Sequence, residues 1–343
     1  MLYTCTRNPS ITYTARKALS DARTPDGGFF VPASGESLGG DLMGALSGSP
    51  FNHTVAVVLN RLWDTRLSAH DVRLAAGRSP VRLTALANRI LVGECWHNLD
   101  GEYNRLVQNI TAHFCPDASQ TSGSWAGISV GIAVLFGIFG ELMGKGMASA
   151  DKKVDVSLLS ADFSLAMSAW YARKWGLPIG NIICCCNENN GVWNLFTHGM
   201  LRTDGISLIT YTPRADVAVP ASLERLIYEC GGAEETALYV SRVRKGESYY
   251  PNDAMLQRIR RGMYVSVVST PRMMDIIPNA YTTHNYLFSP YSALAYGGLL
   301  DYRAVTGESR RSLILAEETP ANYSDVMAKA LNIKSEELIN YIP

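Results

Sequence analysis

The sequence predicts an α/β fold with a doubly wound, mostly parallel sheet. In the second half of the chain, apolar strand-like runs at 154–159 and 181–186 alternate with helical runs at 164–175 and 192–197. Strands that alternate with helices of this length form parallel βαβ units. The run 181–186 is also apolar enough to be a strand buried on both faces, which is typical of parallel sheets.

The first 90 residues predict shorter elements around turn-forming residues. The cluster TPDGG at 24–28 marks a turn, because Pro fixes one backbone angle and Gly admits conformations that other residues avoid. The predicted elements are, in order, a strand at 2–6, a helix at 12–22, a strand at 29–31, a Gly- and Ser-rich loop at 33–50, a helix at 52–65 and a strand at 89–93.

The segment 118–140 contains no charged residue and is long enough to raise the question of a transmembrane helix. Ser, Gly and Thr crowd its first third, no basic cluster flanks its start, and Glu141 follows it directly. Membrane spans usually have basic residues in a flanking loop. We therefore predict a buried core helix, with a membrane span as the alternative.

The composition excludes several classes of protein. The 343 residues are 47% hydrophobic and 18% charged, which is typical of a globular chain and not of a disordered one. Because 31 basic side chains balance 31 acidic ones, nothing attracts polyanions, and no nucleic-acid or membrane partner is expected. The opening residues show no secretory signal, and seven cysteines without metal-type spacing predict reduced thiols, a cytoplasmic location and no metal site.

Two acidic clusters are candidates for acid–base chemistry. Glu317 and Glu318 are adjacent, but neighbouring residues on a strand or turn face opposite ways, so a paired-carboxylate site is not expected. His97 lies close to Glu94 in sequence. We favour a His97 that sits on a loop and bonds to backbone, with an acid–base pair as the alternative.

The predicted strand 181–186 and the turn after it offer two further candidates. Cysteines 184–186 alternate faces there, and apolar burial raises thiol pKa values, so we expect packing rather than reactivity. The polar turn 187–191 follows the carboxyl end of this strand, where open α/β sheets bind ligands, and predicts the rim of a pocket.

Seven segments occur in the same order as the motifs of one known family. They read YTCTR at 3–7, TPDGGFFVP at 24–32, TSGSWAGI at 121–128, AMSAWYARKWGLPI at 166–179, NEN at 187–189, FSPYSA at 288–293 and TPANY at 319–323. In this order they resemble the threonine synthases, which are fold-type II pyridoxal-phosphate (PLP) enzymes. The resemblance implies the sheet and helices of the tryptophan synthase β-like fold, and a soluble counterpart for the long apolar helix.

The residue that carries the cofactor in that family is replaced. The family segment E-L-F-H-G-P-T-L-A-F-K-D-F corresponds to residues 94–106, which keep Glu94 and His97 but have Asn104 at the lysine position and Arg105 at the aspartate. A carboxamide nitrogen is not nucleophilic and cannot form the aldimine that holds PLP. No lysine occurs between residues 18 and 144. The resemblance therefore implies a former cofactor cleft and no PLP.

The phosphate-binding loop of the family is also altered. Its motif P-S-G-N-F-G-N corresponds to Leu159, Ser160, Ala161, Asp162, Phe163, Ser164 and Leu165. Ala161 and Ser164 replace the two glycines that let backbone N–H groups approach a phosphate. Asp162 would place a carboxylate beside a dianion. Glu317 corresponds to the Ser or Thr that faces the pyridine nitrogen in the family.

A subdomain of the family is largely missing. Only about ten residues separate Ile110 from Thr121, where the family has a subdomain with a T-S-G-D-T-G substrate loop. We predict an N-terminal threonine synthase-like segment at 1–90, a remnant of the lysine region and deleted subdomain at 91–120, and a large α/β domain at 121–343. Because the deletion uncovers apolar surface, we also expect a homodimer or a protein partner.

Three interpretations follow from the resemblance. The favoured one is a non-catalytic paralogue that binds a small anionic or amino-acid-like ligand, or a partner. The second is an enzyme that reuses the cleft without PLP, with acid–base residues gathered at the former cofactor position: Glu94, His97, Arg105, Asp162 and Glu317. The third is a PLP-dependent threonine synthase, converting O-phosphohomoserine to threonine, with a displaced lysine such as Lys145 or Lys174.

Overall fold

A central six-stranded sheet with helices on both faces forms the body of the molecule in a computed structural model, which describes residues 1–39, 42–77, 81–97, 103–119, 123–203 and 207–342. The strands are β1 (Tyr3–Cys5), β2 (Phe30–Pro32), β3 (Arg82–Leu86), β4 (Ile90–Glu94), β5 (Val154–Leu159), β6 (Ile179–Cys186), β7 (Met263–Val267) and β8 (Ser312–Ala316). The helices are α1 (Ala15–Ser20), α2 (Leu42–Leu46), α3 (Phe51–Trp63), α4 (Ala69–Ala76), α5 (Tyr103–Phe114), α6 (Trp125–Gly144), α7 (Ser164–Lys174), α8 (Gly191–His198), α9 (Leu223–Lys245), α10 (Asp253–Arg260), α11 (Thr270–His284), α12 (Pro290–Thr306) and α13 (Ser324–Leu331). Short 3-10 turns lie at Pro213–Ala215, Pro320–Tyr323 and Ser335–Asn340.

The central sheet has the strand order β3-β4-β8-β5-β6-β7. Strands β4, β8, β5, β6 and β7 pair in parallel, and β3 pairs antiparallel with β4 at one edge. β1 and β2 form a separate antiparallel pair. The predicted α/β fold with a mostly parallel sheet is confirmed.

The two faces of the sheet bury separate hydrophobic cores. Along β6, Ile182 and Cys184 contribute to one core, whereas Ile183 and Cys185 contribute to the other. Helix α12 packs across β5, β6, β7 and β8 on one side, and α7 packs against β5 and β6 on the other. Side chains alternate across a strand, so helices on both faces require a strand that is apolar throughout.

The three adjacent cysteines pack as predicted. All are buried on β6. Burial raises the pKa of the Cys184 thiol well above its ordinary value, that of Cys185 to about 12 and that of Cys186 to about 11. All seven cysteines of the chain are free thiols.

The long apolar segment folds as α6, which begins after Ser124 and ends at Gly144. The Ser124 hydroxyl accepts a hydrogen bond from the Gly127 N–H at 3.3 Å and so caps the first turn. By length and composition alone, α6 could cross a membrane, but most of it is buried against neighbouring elements, chiefly α3 and α7. This is the predicted core helix.

Two predictions for the N-terminal part need correction. The segment 33–50, predicted as a loop, contains α2, where Leu42 and Leu46 lie one turn apart and are both buried. The strand β3 was not predicted, because its side chains are only partly buried and its pattern is weak. The stability of α2 and β3 therefore depends on the neighbouring elements against which they pack. Residues 98–102 and 120 of the predicted remnant at 91–120 lie outside the described residues.

Candidate functional site

A cavity of about 400 Å³ opens beyond the carboxyl ends of β5 and β8, which are parallel neighbours in the sheet. Ligands bind in this position in open α/β sheets. The lining residues are Tyr103, Asn104, Val107, Gln108, Gly123, Ser124, Gly127, Leu159, Ser160, Ala161, Asp162, Ser164, Leu165, Ser168, Arg214, Val217 and Glu317.

The cavity joins parts of the chain that lie far apart in sequence. The loop after β5 and the start of α7 supply the positions 160–162 and 164, α5 supplies Asn104, and Glu317 follows β8 directly. The Tyr103 N–H donates to the carbonyl oxygen of Glu317 at 2.7 Å, which holds the start of α5 against the end of β8. The positions aligned with the family's lysine, phosphate loop and pyridine contact therefore meet in one cavity.

Asp162 places its carboxylate at the N-terminus of α7. Its Oδ1 accepts a hydrogen bond from the Ser164 N–H at 2.9 Å, and its Oδ2 accepts from the Ser164 hydroxyl at 2.9 Å and the Gly123 N–H at 3.1 Å. Ala161 and Phe163 on either side have positive φ angles of 34° and 69°, and Phe163 is buried outside the cavity lining. A helix N-terminus favours an anion, and here a side chain of the protein supplies it.

Arg214 lies between two glutamates at the other side of the cavity. Its Nη2 donates to Glu317 Oε2 at 2.5 Å, and its Nη1 pairs closely with Glu318 Oε1. The guanidinium also lies 5.1 Å from the ring centroid of Tyr291. The expectation that Glu317 and Glu318 face opposite ways is therefore wrong, because both carboxylates reach the same cation from a turn rather than a regular strand.

Burial raises the pKa of Glu317, and the adjacent Arg214 guanidinium opposes this rise. The carboxylate of Asp162 adds to it. Glu317 and Asp162 therefore interact electrostatically as well as sharing one cavity.

The polar turn 187–191 acts on the cavity indirectly. The Asn187 amide donates to Asp216 Oδ1 at 2.6 Å and to Thr212 Oγ1 at 3.0 Å, and Asn189 also donates to Asp216. Neither asparagine lines the cavity, but together they hold the loop that carries Arg214. Sequence reasoning missed Arg214, since it is separated from its partner Glu317 by about a hundred residues.

Three of the residues predicted for the cleft lie outside its lining. Glu94 is buried at the end of β4, where it pairs with Arg82 and accepts from the Tyr286 hydroxyl at 3.1 Å. His97 lies in the turn after β4, half-buried, and Arg105 is exposed on α5. The structure brings Asn104, Asp162 and Glu317 together, and it does not bring these three to them.

The lysines also lie elsewhere. All eight fall within the described residues, and none lines the cavity. Lys145 pairs with Glu141 on the surface, and Lys174 pairs with Glu229 beside the ring of Trp170.

One polar atom beside the cavity has no partner. Tyr103 is 6% exposed and lines the cavity, and its buried hydroxyl makes no hydrogen bond within the described part of the chain. An unpaired buried hydroxyl destabilises the folded state by about 1–3 kcal/mol. Such groups are therefore rare in folded proteins, and many of them bind a water molecule or have a functional role.

Comparison with known proteins identifies the relatives of this chain. It is 24% identical over 183 residues to human threonine synthase-like 1 and 24% identical over 197 residues to the threonine synthase of Corynebacterium glutamicum. The threonine synthase of Brucella melitensis, solved with PLP bound, superposes with a TM-score of 0.83, covering 97% of this chain and 92% of the other at 16% identity. The resemblance to the threonine synthases is confirmed.

The sequence similarity covers only part of these proteins. The match spans 52% of this chain and 24% of human threonine synthase-like 1, and 53% of this chain and 39% of the Corynebacterium enzyme. No protein-family model matches the chain. Yeast threonine synthase superposes with a TM-score of 0.83, covering 96% of this chain and 90% of the other at 14% identity, so the threonine synthase fold extends over nearly the whole chain.

Proposed function

We propose that this threonine synthase-like chain does not carry PLP and acts by binding a small molecule, or a partner, at the cavity. Asn104 carries the proposal. It stands at the position of the family's cofactor lysine and lines the cavity, whereas none of the chain's lysines does so. Because an amide nitrogen cannot form an imine with an aldehyde, the position that matches the family's anchor lacks the required chemistry.

The phosphate side of the cavity supports the same proposal. A phosphate at the start of α7 would meet the carboxylate of Asp162, which already takes the Ser164 N–H, the Ser164 hydroxyl and the Gly123 N–H. Two like charges ~4 Å apart repel by roughly 1–4 kcal/mol between the limits of bulk water and a protein surface. Asp162 therefore disfavours the group that the family's glycines accommodate.

The pyridine side gives weaker support. Glu317 could face a protonated ring nitrogen, but its Oε2 is held by Arg214 at 2.5 Å. Without a lysine and a phosphate site, this single carboxylate does not fix a cofactor. The residues present therefore do not fit PLP, and we derive no reaction step through it.

The short connection between α5 and α6 supports a binding role over the ancestral reaction. Residues 115–124 join the two helices, and the strands of the described residues form one six-stranded sheet and one two-stranded pair. A subdomain that closes over the cleft would exclude water from a reaction. We propose that this subdomain has been lost, which removes the part that would perform the closure.

Titration of the purified chain with PLP tests the proposal. We expect no saturable visible absorbance band of an aldimine and no increase in melting temperature specific to PLP. The reason is that Asn104 stands at the position of the lysine and Asp162 occupies the position of the phosphate. A band that saturates at one equivalent of PLP would overturn the proposal.

One observation favours an enzymatic alternative. Burial raises the pKa of Glu317 in a cavity wall, which is a property of general acid–base residues. In this alternative, the cavity catalyses lysine-independent proton transfer on a bound amine or amino acid. Exchange of substrate C–H protons with deuterated water, present in the wild type and abolished in Glu317→Gln, would establish it.

A further inference from the structure

We propose that the cavity binds a small organic cation, a primary amine that also carries a hydroxyl or amide oxygen, in preference to a phosphate or carboxylate. This inference rests on the proposed function, since it takes the cavity to be a ligand site that does not hold PLP. It differs from the expectation of a small anionic ligand, which came from the family resemblance.

The charges around the cavity favour a cation. Among the described residues that line it, the charged side chains are Asp162, Glu317 and Arg214. Glu318 pairs with Arg214 from outside the lining. The buried Arg225 guanidinium, which donates to Ser222 Oγ, also interacts electrostatically with Asp162, so three carboxylates face two guanidinium groups. The formal charge of this group is −1 when all five are ionised. An entering ammonium group lowers the repulsion between carboxylates, whereas an entering anion increases it.

Arg214 is not free to receive an anion. Each terminal nitrogen of its guanidinium faces its own carboxylate, Nη2 on Glu317 and Nη1 on Glu318, and the Tyr291 ring lies 5.1 Å away. A ligand carboxylate or phosphate would have to displace one of these glutamates, both of which are buried. Removing one partner of a buried ion pair is costly, because it leaves a charge without compensation.

The other anion-binding feature of the cavity is filled as well. Asp162 accepts the N–H and hydroxyl of Ser164 at the start of α7 and the N–H of Gly123. These donors would bind a ligand phosphate in the absence of that carboxylate. Carboxylates of the protein therefore already fill both of these anion-binding features.

The Tyr103 hydroxyl is an independent sign of a ligand. It is buried, it lacks a hydrogen-bond partner within the described residues, and Tyr103 lines the same cavity as Asp162 and Glu317. The hydroxyl lies near Gly131 of α6 and close to Ser168, which also lines the cavity, and a ligand oxygen or nitrogen that reaches this wall would satisfy it. The exposed carboxamide of Asn104 beside it offers a further donor and acceptor. The ligand therefore needs a polar group in addition to its charge.

The volume of the cavity limits the size of the ligand. At about 400 Å³ it lies near the lower end of the range for small-molecule sites. A small amino alcohol or amino amide fits this description. A polyamine that binds by charge alone would leave Tyr103 unsatisfied.

A matched set of probes tests the charge preference on the full chain. The probes are 4-aminobutan-1-ol, its uncharged counterpart 1,4-butanediol, its anionic counterpart 4-hydroxybutanoate, and inorganic phosphate. Binding is followed by chemical-shift changes in NMR spectra and by the melting temperature. We expect saturable binding of the amine and weaker or no binding of the other three. Tighter binding of 4-hydroxybutanoate or phosphate, or no saturable binding of the amine, would overturn the inference.

Three variants assign the binding to this cavity. Glu317→Gln should weaken the amine by about tenfold, which corresponds to about 1.4 kcal/mol. Tyr103→Phe should weaken it several-fold while leaving the free protein equally or more stable, since the lost hydroxyl has no partner there. Glu308→Gln, which removes a partly exposed carboxylate on Arg310 away from the cavity, should leave binding unchanged. An equal loss in Glu308→Gln would show that the amine binds to acidic surface in general.

The inference and the proposed function fail in different ways. A saturable aldimine band with PLP contradicts the proposed function, whatever the amine does. An anion that binds in the cavity without such a band contradicts only the preference for a cation.

Discussion

Asp162 combines a structural role at the start of α7 with the binding preference that we propose for the cavity. The sequence aligns it with the phosphate loop of the threonine synthases, and the structure places its carboxylate on the N–H of Ser164 and the N–H of Gly123. A negative group at the start of a helix interacts favourably with the helix dipole. The residue that we propose disfavours a phosphate is therefore also expected to stabilise α7.

Asp162→Ala should destabilise the fold by about 1–2 kcal/mol, because α7 loses its capping carboxylate and the Gly123 N–H loses its acceptor. Urea-induced unfolding measures the change. The control is Asp151→Ala, at an exposed position before β5, which should stay within about 0.5 kcal/mol of the wild type. Equal stability of both variants would mean that the capping contacts do not form.

Glu317 gives the stability a characteristic pH dependence. Burial raises its pKa above the ordinary value of 4.5, although Arg214 opposes the rise, and Asp162 adds to it. The folded state then holds the Glu317 proton more tightly than the unfolded state. Its contribution to stability is present in full below pH 4.5 and is lost as the pH rises through the folded pKa.

The difference in unfolding free energy between the wild type and Glu317→Gln isolates this effect. Relative to the variant, the wild type should become less stable as the pH rises above about 4.5. Urea unfolding at a series of pH values tests this, with Glu308→Gln as the control for a partly exposed carboxylate. A wild type that gains stability over Glu317→Gln as the pH rises would mean that the Arg214 ion pair outweighs burial.

The residues of the site were predictable to different degrees. Asn104, Asp162 and Glu317 could be found because each aligns with a family motif, and the cavity contains all three. Arg214 could not be found, since its role depends on a loop that Asn187 and Asn189 hold in place from a distant part of the chain. The burial of Glu94 under Arg82 depends likewise on strand pairing that the local pattern does not reveal.

At the scale of the elements, α6 shows how small residues permit close packing. Gly144 approaches Gly48 so closely that a Cβ atom on Gly144 would lie 2.5 Å from the Gly48 Cα. Gly127 in the same helix has open surroundings, and its nearest neighbour would be the Ser124 Oγ at 3.6 Å. The two positions therefore differ in packing although both are helical glycines.

Gly144→Ala should destabilise the protein by about 1–3 kcal/mol, because the backbone at Gly48 has to move. Gly127→Ala is the matched control and should be neutral or stabilising by up to about 1 kcal/mol, since alanine favours the helix. Thermal unfolding of both variants tests this. Destabilisation by Gly127→Ala as large as that by Gly144→Ala would contradict the packing described for α6.

The strands and helices also show where the sequence pattern alone is enough to predict an element and its bounds. β5 was predicted with its observed bounds and β6 within two residues, because a strand buried on both faces is apolar throughout. The edge strand β3 and the short helix α2 were missed, since their stability comes from the neighbours against which they lie. Strands β7 and β8 were not predicted either, although β8 lies between β4 and β5 in the middle of the sheet.

At the scale of the whole molecule, the chain has the threonine synthase fold. The superposition on solved threonine synthases covers nearly all of the chain. Residues 115–124 connect α5 and α6 where we propose that a subdomain was lost. We expect such a loss to leave apolar surface that a partner covers.

The expected partner is a second copy of the chain. Sedimentation equilibrium of the purified protein should therefore give the mass of a dimer, twice the 37.5 kDa of the chain, at micromolar concentration. A single species of 37.5 kDa over the whole concentration range would contradict the homodimer.

The central claim is that no lysine of this chain holds PLP. Incubation with PLP, reduction with borohydride and peptide mapping by mass spectrometry test it most directly, because reduction fixes any imine to the lysine that formed it. We predict no uniquely modified lysine, with only low, scattered labelling of surface residues such as Lys145 and Lys174. Stoichiometric modification of one lysine would contradict the claim.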